Sequence, residues 1–213
     1  MKHVGLFGGS FDPVHVGHLR AALEAAEHVG LDELRFVPCA VSPGKPRPHA
    51  SGSLRREWLR QAIGDRPGWQ VDDRELRRGG VSYTVETLAE IRETEPDARL
   101  YWMVGSDAFC GLHGWREADR LGRLAHWIVL LRPGFEDRLP PPQAPDWCRS
   151  GTTDDPAKLR RDPAGGVLYL PVTPLGISAT AVRARIRRGQ RLDYLVPEPI
   201  RGTLERADCY DPP

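Results

Sequence analysis

The N-terminal segment constrains the fold most, because it places an amphipathic helix between two short apolar strands. Residues 3–7 form an apolar run, a helical pattern covers residues 16–29 and ends at Gly30, and a second apolar run covers residues 34–38. Two parallel strands need a crossover connection of about a dozen residues or more, which is usually a helix. The order therefore predicts a strand–helix–strand unit with parallel strands.

The same alternation continues through the chain and predicts an α/β protein. We expect a doubly wound parallel sheet with helices on both faces, formed as a single domain over residues 1–213. The Pro-rich segment 132–166 is predicted to be an irregular surface excursion, and residues 178–207 a C-terminal helical segment. The further predicted strands are residues 69–72, 99–104, 125–131 and 166–172, and the further predicted helices begin at Ser53, Thr84, Ser178 and Pro197.

The charge balance argues against a nucleic-acid or membrane partner. Lysine and arginine total 30 and aspartate and glutamate total 29, which gives a formal net charge of +1. No global field would attract a polyanion, so any phosphate site must be local. Hydrophobic residues make up 40% of the 213 residues, which is enough for a substantial core.

Cysteine usage and the lack of long apolar runs predict a cytoplasmic protein. Cys39, Cys110, Cys148 and Cys209 are far apart in the chain and form no Cys-x-x-Cys pair, as expected for reduced thiols. No signal-like stretch precedes the first strand, and no run approaches the roughly 18 apolar residues of a membrane span.

The loop between the first predicted strand and helix carries the most informative residues. His15 and His18 are spaced so that both side chains lie on about the same face at the start of the helix. Gly17 between them removes a side chain that would block a ligand. Because a helix N-terminus favours anions, the pattern predicts a phosphate site. Two other interpretations stay open, namely a pair of structural histidines and a zinc site with Asp12 as a further ligand.

The common nucleotide-binding motifs are absent from the sequence. Gly5, Gly8 and Gly9 do not match the G-x-G-x-x-G pattern of dinucleotide-binding domains, and no G-x-x-x-x-G-K-[ST] occurs. Ligands of open α/β sheets bind beyond the carboxyl ends of the strands, so we expect four loops to converge there. These loops are residues 8–18, 41–45, 105–107 and 173–180.

Two segments resemble the signature of the nucleotidyltransferase superfamily. GGSFDPVHVGH (residues 8–18) is similar to that superfamily's first phosphate-binding element, and GISATAVR (residues 176–183) is similar to its second. Further segments, in order over nearly the whole chain, resemble bacterial nicotinate-nucleotide adenylyltransferases. They are FVPCAVSPGKPRP (36–48), VSYTVETL (81–88), VGSDAF (104–109), Trp115, LLRPG (130–134) and LVPEPI (195–200).

The resemblance implies a Rossmann-like fold and a specific reaction. The reaction is adenylyl transfer from ATP to nicotinate mononucleotide, which gives deamido-NAD and pyrophosphate, with Mg²⁺ accompanying ATP. The nucleophile would be the substrate's own phosphate, which is mostly dianionic at pH 7 because its second pKa is about 6, so no general base is required. The protein must instead align two anions and neutralise the charge that develops on the transferred and leaving groups.

The resemblance also implies roles for individual residues. Four residues would act in catalysis, namely His15, His18, Lys45 and Arg183. The ATP site would comprise Gly8, Gly9, Ser10, Phe11, His15, His18, Gly105, Arg132, Ile177, Ser178, Thr180 and Arg183. The nicotinate mononucleotide site would comprise Ser10, Lys45, Tyr83, Thr84, Asp107, Trp115 and Arg116, with the Trp115 ring stacked on the pyridine. No residue is predicted to ligate a metal directly.

The chain departs from the family in the loop that carries Lys45. It reads Pro43-Gly44-Lys45 where family members often have Pro-His-Lys. This difference leaves open how far the loop contributes to closure over the substrates, and His49 is a candidate replacement for the missing histidine.

Several alternatives accompany this interpretation. Taken alone, Ser178 is equally typical of an ordinary helix N-cap, and Arg183 of a surface arginine. The substrate could instead be nicotinamide mononucleotide or pantetheine phosphate, and a non-catalytic nucleotide-binding module is a further alternative. A homo-oligomer is compatible with the sequence.

Overall fold

The computed structural model describes residues 1–131 and 139–210, and a six-stranded sheet lies at its centre. The strands are β1 (His3–Gly9), β2 (Glu33–Pro38), β3 (Trp69–Val71), β4 (Arg99–Gly105), β5 (His126–Leu131) and β6 (Val167–Pro171). Their order is β3-β2-β1-β4-β5-β6, and all neighbouring strands are parallel. The predicted parallel pairing of the first two strands is confirmed, with Phe7 opposite Phe36.

Ten α-helices connect or follow these strands in the described residues. The first matches its predicted bounds and ends at Gly30, whose φ of 71° lies in the left-handed region that glycine adopts without strain. The helices are α1 (Val16–Val29), α2 (Gly52–Ile63), α3 (Arg74–Arg78), α4 (Thr84–Thr94), α5 (Ser106–Phe109), α6 (Ala118–Leu124), α7 (Asp146–Ser150), α8 (Pro156–Arg161), α9 (Ala179–Arg187) and α10 (Glu198–Glu205).

Alternation along the strands builds two hydrophobic cores, one on each face of the sheet. On β1, Val4 and Leu6 belong to one core and Phe7 to the other, as the two-residue period of a strand requires. The Phe7 core contains buried residues of α1, α2, α9 and α10, and the second core contains buried residues of α4 and α6. The predicted α/β sheet with helices on both faces is confirmed.

Some local predictions were wrong. Helix α2 is capped by Ser51, whose Oγ accepts a hydrogen bond from the Leu54 amide at 3.3 Å, and not by Ser53. The predicted loop at residues 105–107 is instead the end of β4 followed directly by the short helix α5.

The Pro-rich segment contains more regular structure than its composition indicates. Helices α7 and α8 lie within it, and they bury Cys148 and Leu159 in the two cores. The expectation of an irregular surface excursion was therefore wrong for this part, because single buried side chains on short helices leave no apolar period in the sequence. Residues 132–138 lie outside the described residues.

The described residues contain neither a membrane-spanning helix nor a disulfide bond. None of the helices there is both long and apolar enough to cross a membrane. All four cysteines are free thiols, as expected for a chain without disulfides.

The strand order defines where a ligand would bind. The chain builds β1, β2 and β3 towards one edge and then returns to β4 on the other side of β1. Doubly wound sheets bind ligands outside the carboxyl ends of the strands at this reversal. Gly9 and Gly105 end β1 and β4, so the loops that follow them flank the expected crevice.

Candidate active site

The two motif histidines form a compact pair at the start of α1. His15 is the N-cap residue and is buried, while His18 in the first turn is half-buried. Their rings stack with centroids 3.6 Å apart, and the His15 amide donates a hydrogen bond to Nδ1 of His18 at 3.3 Å. The Phe11 ring contacts the His18 ring edge-on at 5.1 Å. The Phe7 ring also contacts the His18 ring edge-on at 6.1 Å, so this hydrogen bond and these ring contacts restrain the His18 ring.

Glycines give this segment its close packing. A Cβ atom at Gly17 would lie 3.1 Å from Nδ1 of His15 and 3.7 Å from the carbonyl oxygen of Ile177. At Gly8, a Cβ would lie 2.4 Å from the Trp102 indole, which is buried and cannot move aside. Gly17 therefore avoids a tight contact with the His15 ring, whereas Gly8 is required by packing beneath the strand end.

The turn before the helix is strained and firmly anchored. Phe11 has a φ of 46°, which is uncommon for a residue with a side chain. The next residue, Asp12, is buried, and its carboxylate accepts hydrogen bonds from the His49 amide at 2.8 Å, the Ala50 amide at 3.1 Å and the Tyr210 hydroxyl at 2.9 Å. Burial alone would raise the pKa of Asp12, but these hydrogen bonds outweigh it and lower the pKa.

The second motif lies against the same turn. Ser178 is the N-cap of α9, and its Oγ accepts a hydrogen bond from the Ala181 amide at 3.1 Å, as an ordinary N-cap would. Arg183, one turn further, is not a solvated surface arginine. Its guanidinium donates to the Asp12 carbonyl at 2.7 Å and to the Thr180 hydroxyl at 3.2 Å. The two segments that resemble phosphate-binding elements are therefore neighbours.

A buried arginine that the sequence analysis did not single out joins the loops at the carboxyl end of the sheet. Arg55 on α2 is only 2% exposed, and no carboxylate pairs with it in residues 1–131 and 139–210. Its guanidinium donates to three main-chain carbonyls, those of Ser10 at 2.7 Å, Cys39 at 2.8 Å and Ala50 at 3.1 Å. Arg55 thus ties the β1 exit, the β2 exit and the start of α2 together.

The loop after β2 contributes main-chain anchors. Lys45 is exposed and lies in a turn in which its amide donates to the Ser42 carbonyl at 3.2 Å. The His49 side chain, in contrast, contacts Asp12 and Arg187. Its Nε2 accepts from Arg187 at 3.2 Å, so its proton lies on Nδ1, 3.3 Å from the Asp12 carboxylate. His49 therefore supports the Asp12 turn and does not replace the histidine missing at Gly44.

Four of the residues predicted for nicotinate mononucleotide form a second cluster, namely Tyr83, Thr84, Trp115 and Arg116. The Arg116 guanidinium lies 4.7 Å from the centre of the Tyr83 ring and donates to the Glu86 carboxylate at 2.6 Å. Trp115 is half-buried and contacts Trp127 edge-on at 5.9 Å. Thr84 is the first residue of α4, so it lies where a helix has N–H groups without intrahelical partners.

Hydrogen bonds connect this cluster to the β2 exit loop. The Ser82 amide donates to the Val41 carbonyl at 2.8 Å, and the Ser82 hydroxyl accepts from the Ala40 amide at 2.9 Å. Behind it, the Thr87 hydroxyl donates to the buried Glu75 carboxylate at 2.6 Å, and burial raises the pKa of Glu75. The segment before α4 is therefore fixed relative to the loop that carries Lys45.

The remaining predicted residues lie at strand ends, with one exception. Gly8 and Gly9 are the last residues of β1, and Ser10 is exposed just beyond them. Gly105 ends β4 and caps α5, whose first turn carries the exposed Asp107. Arg132 lies outside the described residues.

The described part of the chain has no group of three or more His, Cys, Asp or Glu side chains that could hold a metal ion. The zinc interpretation of His15 and His18 is therefore not supported by a third ligand there. Asp12, the nearest candidate in the sequence, directs its carboxylate to the three donors described above.

Comparisons with known proteins place this chain in a family. A family model described as cytidylyltransferase-like matches residues 6–185. A protein of Halorhodospira halophila, named a probable nicotinate-nucleotide adenylyltransferase, is 42% identical over 213 residues, which are 100% of this chain and 97% of that protein. The chain belongs to the nicotinate-nucleotide adenylyltransferase family. A Pseudomonas aeruginosa member with the same name is 39% identical and covers 100% of this chain and 99% of its own length.

A solved structure supports the fold assignment. The nicotinic acid mononucleotide adenylyltransferase of Plasmodium falciparum, in complex with NaAD, superimposes with a TM-score of 0.71. The alignment covers 99% of this chain and 98% of that chain at 18% sequence identity. The Rossmann-like architecture of the family is thus shared although few residues are identical.

Proposed function

We propose that the protein transfers the adenylyl group of ATP to nicotinate mononucleotide and releases deamido-NAD and pyrophosphate, a step of NAD biosynthesis. The observation that supports this proposal most is the hydrogen bond from Arg183 to the Asp12 carbonyl, because it joins the two segments that resemble the family's phosphate-binding elements. Family membership over the whole chain supports the choice of substrates.

The reaction needs positioning and charge neutralisation. A phosphate oxygen of nicotinate mononucleotide attacks the α-phosphorus of ATP, the bond to the bridging oxygen breaks, and pyrophosphate leaves with its electrons. Nδ1 of His18 accepts a hydrogen bond from the His15 amide, so in neutral His18 the proton lies on Nε2. Nε2 can therefore donate a hydrogen bond to a phosphate oxygen. Arg183 and Lys45 would add positive charge to the same phosphates, Arg183 from α9 and Lys45 from the β2 exit loop.

The ATP site we propose groups side chains and main-chain donors around the start of α1 and α9. The N-termini of α1 and α9 would face the phosphates, and the Ser178 hydroxyl can donate its proton while its oxygen caps α9. The residues are Gly8, Gly9, Ser10, Phe11, His15, His18, Gly105, Arg132, Ile177, Ser178, Thr180 and Arg183.

The nicotinate mononucleotide site we propose is the cluster around Tyr83 and Trp115. The Trp115 ring would stack on the pyridine, and main-chain N–H groups near Thr84 and Arg116 would bind its carboxylate. Asp107 would accept hydrogen bonds from ribose hydroxyls, while Ser10 and Lys45 would contact the phosphate.

We propose Mg²⁺ as the divalent ion that accompanies ATP. The donor set fits an ion held mainly by the nucleotide, because the Asp12 carboxylate is occupied by three protein donors and the nearby side chains are cationic or neutral. Mg²⁺ commonly binds substrate phosphates and retains several waters. When bound, it would neutralise phosphate charge alongside Arg183.

Pyrophosphate release tests the proposal directly. The protein is incubated with Mg²⁺, ATP and, in parallel, nicotinate mononucleotide, nicotinamide mononucleotide or pantetheine phosphate. We expect kcat/KM to be highest for nicotinate mononucleotide, because only the acid supplies a carboxylate to the α4 N-terminus. Equal kcat/KM for the acid and the amide would remove the carboxylate site, and no turnover with any of them would overturn the proposed function.

A further inference from the structure

The C-terminal turn packs against the Asp12 turn that precedes α1. Residues Asp208–Tyr210 form a short 3-10 helix, and Tyr210 is fully buried between Trp58 and His49, with ring centroids 6.0 and 6.1 Å away. Its hydroxyl donates to the Asp12 carboxylate at 2.9 Å, a contact between residues 198 positions apart.

Helix α9 holds both ends of this contact. Arg183 donates to the main-chain carbonyl of Asp12, and Arg187, one turn further along the same face, donates to the carbonyl of Tyr210 at 2.8 Å. Arg187 also contacts His49, whose amide is a second donor to the Asp12 carboxylate. The phosphate-binding helix, the first motif and the C-terminal turn therefore share one hydrogen-bond network.

The charge states of the two partners make this hydrogen bond strong. Burial and the neighbouring Asp12 raise the pKa of Tyr210, so the phenol stays protonated and donates. Asp12, with its lowered pKa, stays ionised at neutral pH and accepts. A hydrogen bond to a charged acceptor is stronger than one between neutral groups, and a buried site protects it from water.

The strained turn explains why such a restraint matters. Phe11 at φ 46° would relax without its surroundings, because this backbone region is unfavourable for a residue with a side chain. The Phe11 ring contacts His18, and the Asp12 carbonyl holds Arg183. A shift of the turn would therefore move two proposed ATP ligands together.

We propose that Tyr210 is a positioning residue for ATP, acting through Asp12, so that the C-terminal turn belongs functionally to the active site. This inference rests on the proposed function for the identity of the nucleotide. Nicotinate mononucleotide binds, in that proposal, mainly around Tyr83 and Trp115, so loss of the Tyr210 hydroxyl should weaken the binding of ATP more than that of the second substrate.

The test compares two buried tyrosines that each lose one hydroxyl. Tyr210→Phe removes the bond to Asp12. Tyr101→Phe is the matched control, because Tyr101 is also fully buried and its hydroxyl bonds to His3 at 2.7 Å, near the start of β4 and away from the site. The readouts are the Kd of a non-hydrolysable ATP analogue by calorimetry, the KM of each substrate and the thermal unfolding midpoint.

We expect Tyr210→Phe to raise the Kd of the analogue and the KM for ATP about tenfold, with the KM for nicotinate mononucleotide within twofold of wild type. Tyr101→Phe should change none of these, whatever its effect on unfolding. Asp12→Asn should act like Tyr210→Phe and is used if that variant does not fold.

Two results would overturn the inference. One is an unchanged Kd of the ATP analogue in Tyr210→Phe, or in Asp12→Asn where that variant replaces it. The other is an equal loss of affinity for the analogue in Tyr210→Phe and Tyr101→Phe. Wild-type turnover is scored separately, so failure of the proposed function is distinguishable.

Discussion

Buried polar side chains lie at both ends of the sheet, but the two groups connect different parts of the chain. At the carboxyl end, Asp12, Arg55 and Tyr210 join loops that carry proposed substrate ligands. At the amino end, His3, Tyr101 and His126 lie together, with the Tyr101 and His126 rings stacked at 5.1 Å. The same kinds of group therefore join loops that carry proposed ligands at one end and join strands to loops at the other.

This contrast separates activity from stability. Hydrogen bonds at the carboxyl end fix loops whose exact placement matters for aligning two anions, so their loss should affect kinetics first. Hydrogen bonds at the amino end fix where strands and loops meet, away from any proposed ligand, so their loss should affect unfolding first. The following variants test this separation.

The largest effect on turnover is expected for His18→Ala. It removes the donor that would face the phosphates, so kcat should fall by about two orders of magnitude or more. His28→Ala, in the last turn of the same helix and exposed, is the control and should keep wild-type kcat. Steady-state pyrophosphate release measures both, and near-normal turnover in the His18 variant would remove this residue from the mechanism.

At the amino end, His126 should make stability depend on pH. Its Nε2 donates to the Asp162 carbonyl at 3.0 Å, and its Nδ1 accepts from the Gly166 amide at 3.1 Å, which requires a neutral ring. Burial lowers the pKa of His126 from 6.5 to about 4. Between these values the unfolded chain binds the proton and the folded chain does not, so stability falls as the pH is lowered.

The expected loss for the wild type over this window is on the order of 3 kcal/mol in the free energy of unfolding. Urea unfolding from pH 7.5 to pH 4 measures it. His126→Asn should be less stable at neutral pH but show a shallower decline, while its kcat at pH 7.5 stays at the wild-type value. Parallel declines in the two proteins would show that other groups cause the pH dependence.

Arg183→Ala should have an intermediate effect. It removes both the proposed charge on the ATP phosphates and the bond to the Asp12 carbonyl, so we expect the KM for ATP to rise about tenfold or more. Arg185→Ala is a suitable control, because Arg185 lies on the same helix but its side chain donates to the Arg191 carbonyl, beyond the C-terminus of α9. Equal ATP affinities in the two variants would contradict the phosphate role of Arg183.

The smallest effect is expected for Arg116→Ala. The proposed carboxylate contact uses the main-chain N–H, which the substitution keeps, and the lost contacts to Tyr83 and Glu86 are at an exposed position. The KM for nicotinate mononucleotide should therefore change less than threefold. A much larger increase would mean that the guanidinium itself binds the substrate.

The sheet could be predicted from sequence because its signals are local. Short apolar runs and the Val16–Val29 pattern identify the strands and the first helix without knowledge of distant contacts. The two segments that resemble phosphate-binding elements were recognisable for the same reason, since each has its characteristic residues within about ten positions. Helix α3 was missed because RELRR carries no apolar period.

The network around Asp12 could not be predicted, because no local pattern distinguishes its members. Arg55 is 2% exposed, yet its neighbour Arg56 on the same helix is an accessible residue that pairs with Asp73. In a sequence rich in arginine these two look alike. Tyr210 gives no sign of its contact with Asp12, since only the folded chain brings the two residues together.

The contact between Gly8 and Trp102 bears on how this family could diversify. The indole occupies the space that any side chain at position 8 would need, so the two positions share a single volume. A larger residue at the end of β1 becomes tolerable only when the aromatic residue beneath it shrinks. Laboratory evolution would therefore have to change both codons together to place a side chain at position 8, and libraries that vary position 8 alone would yield mostly destabilised proteins.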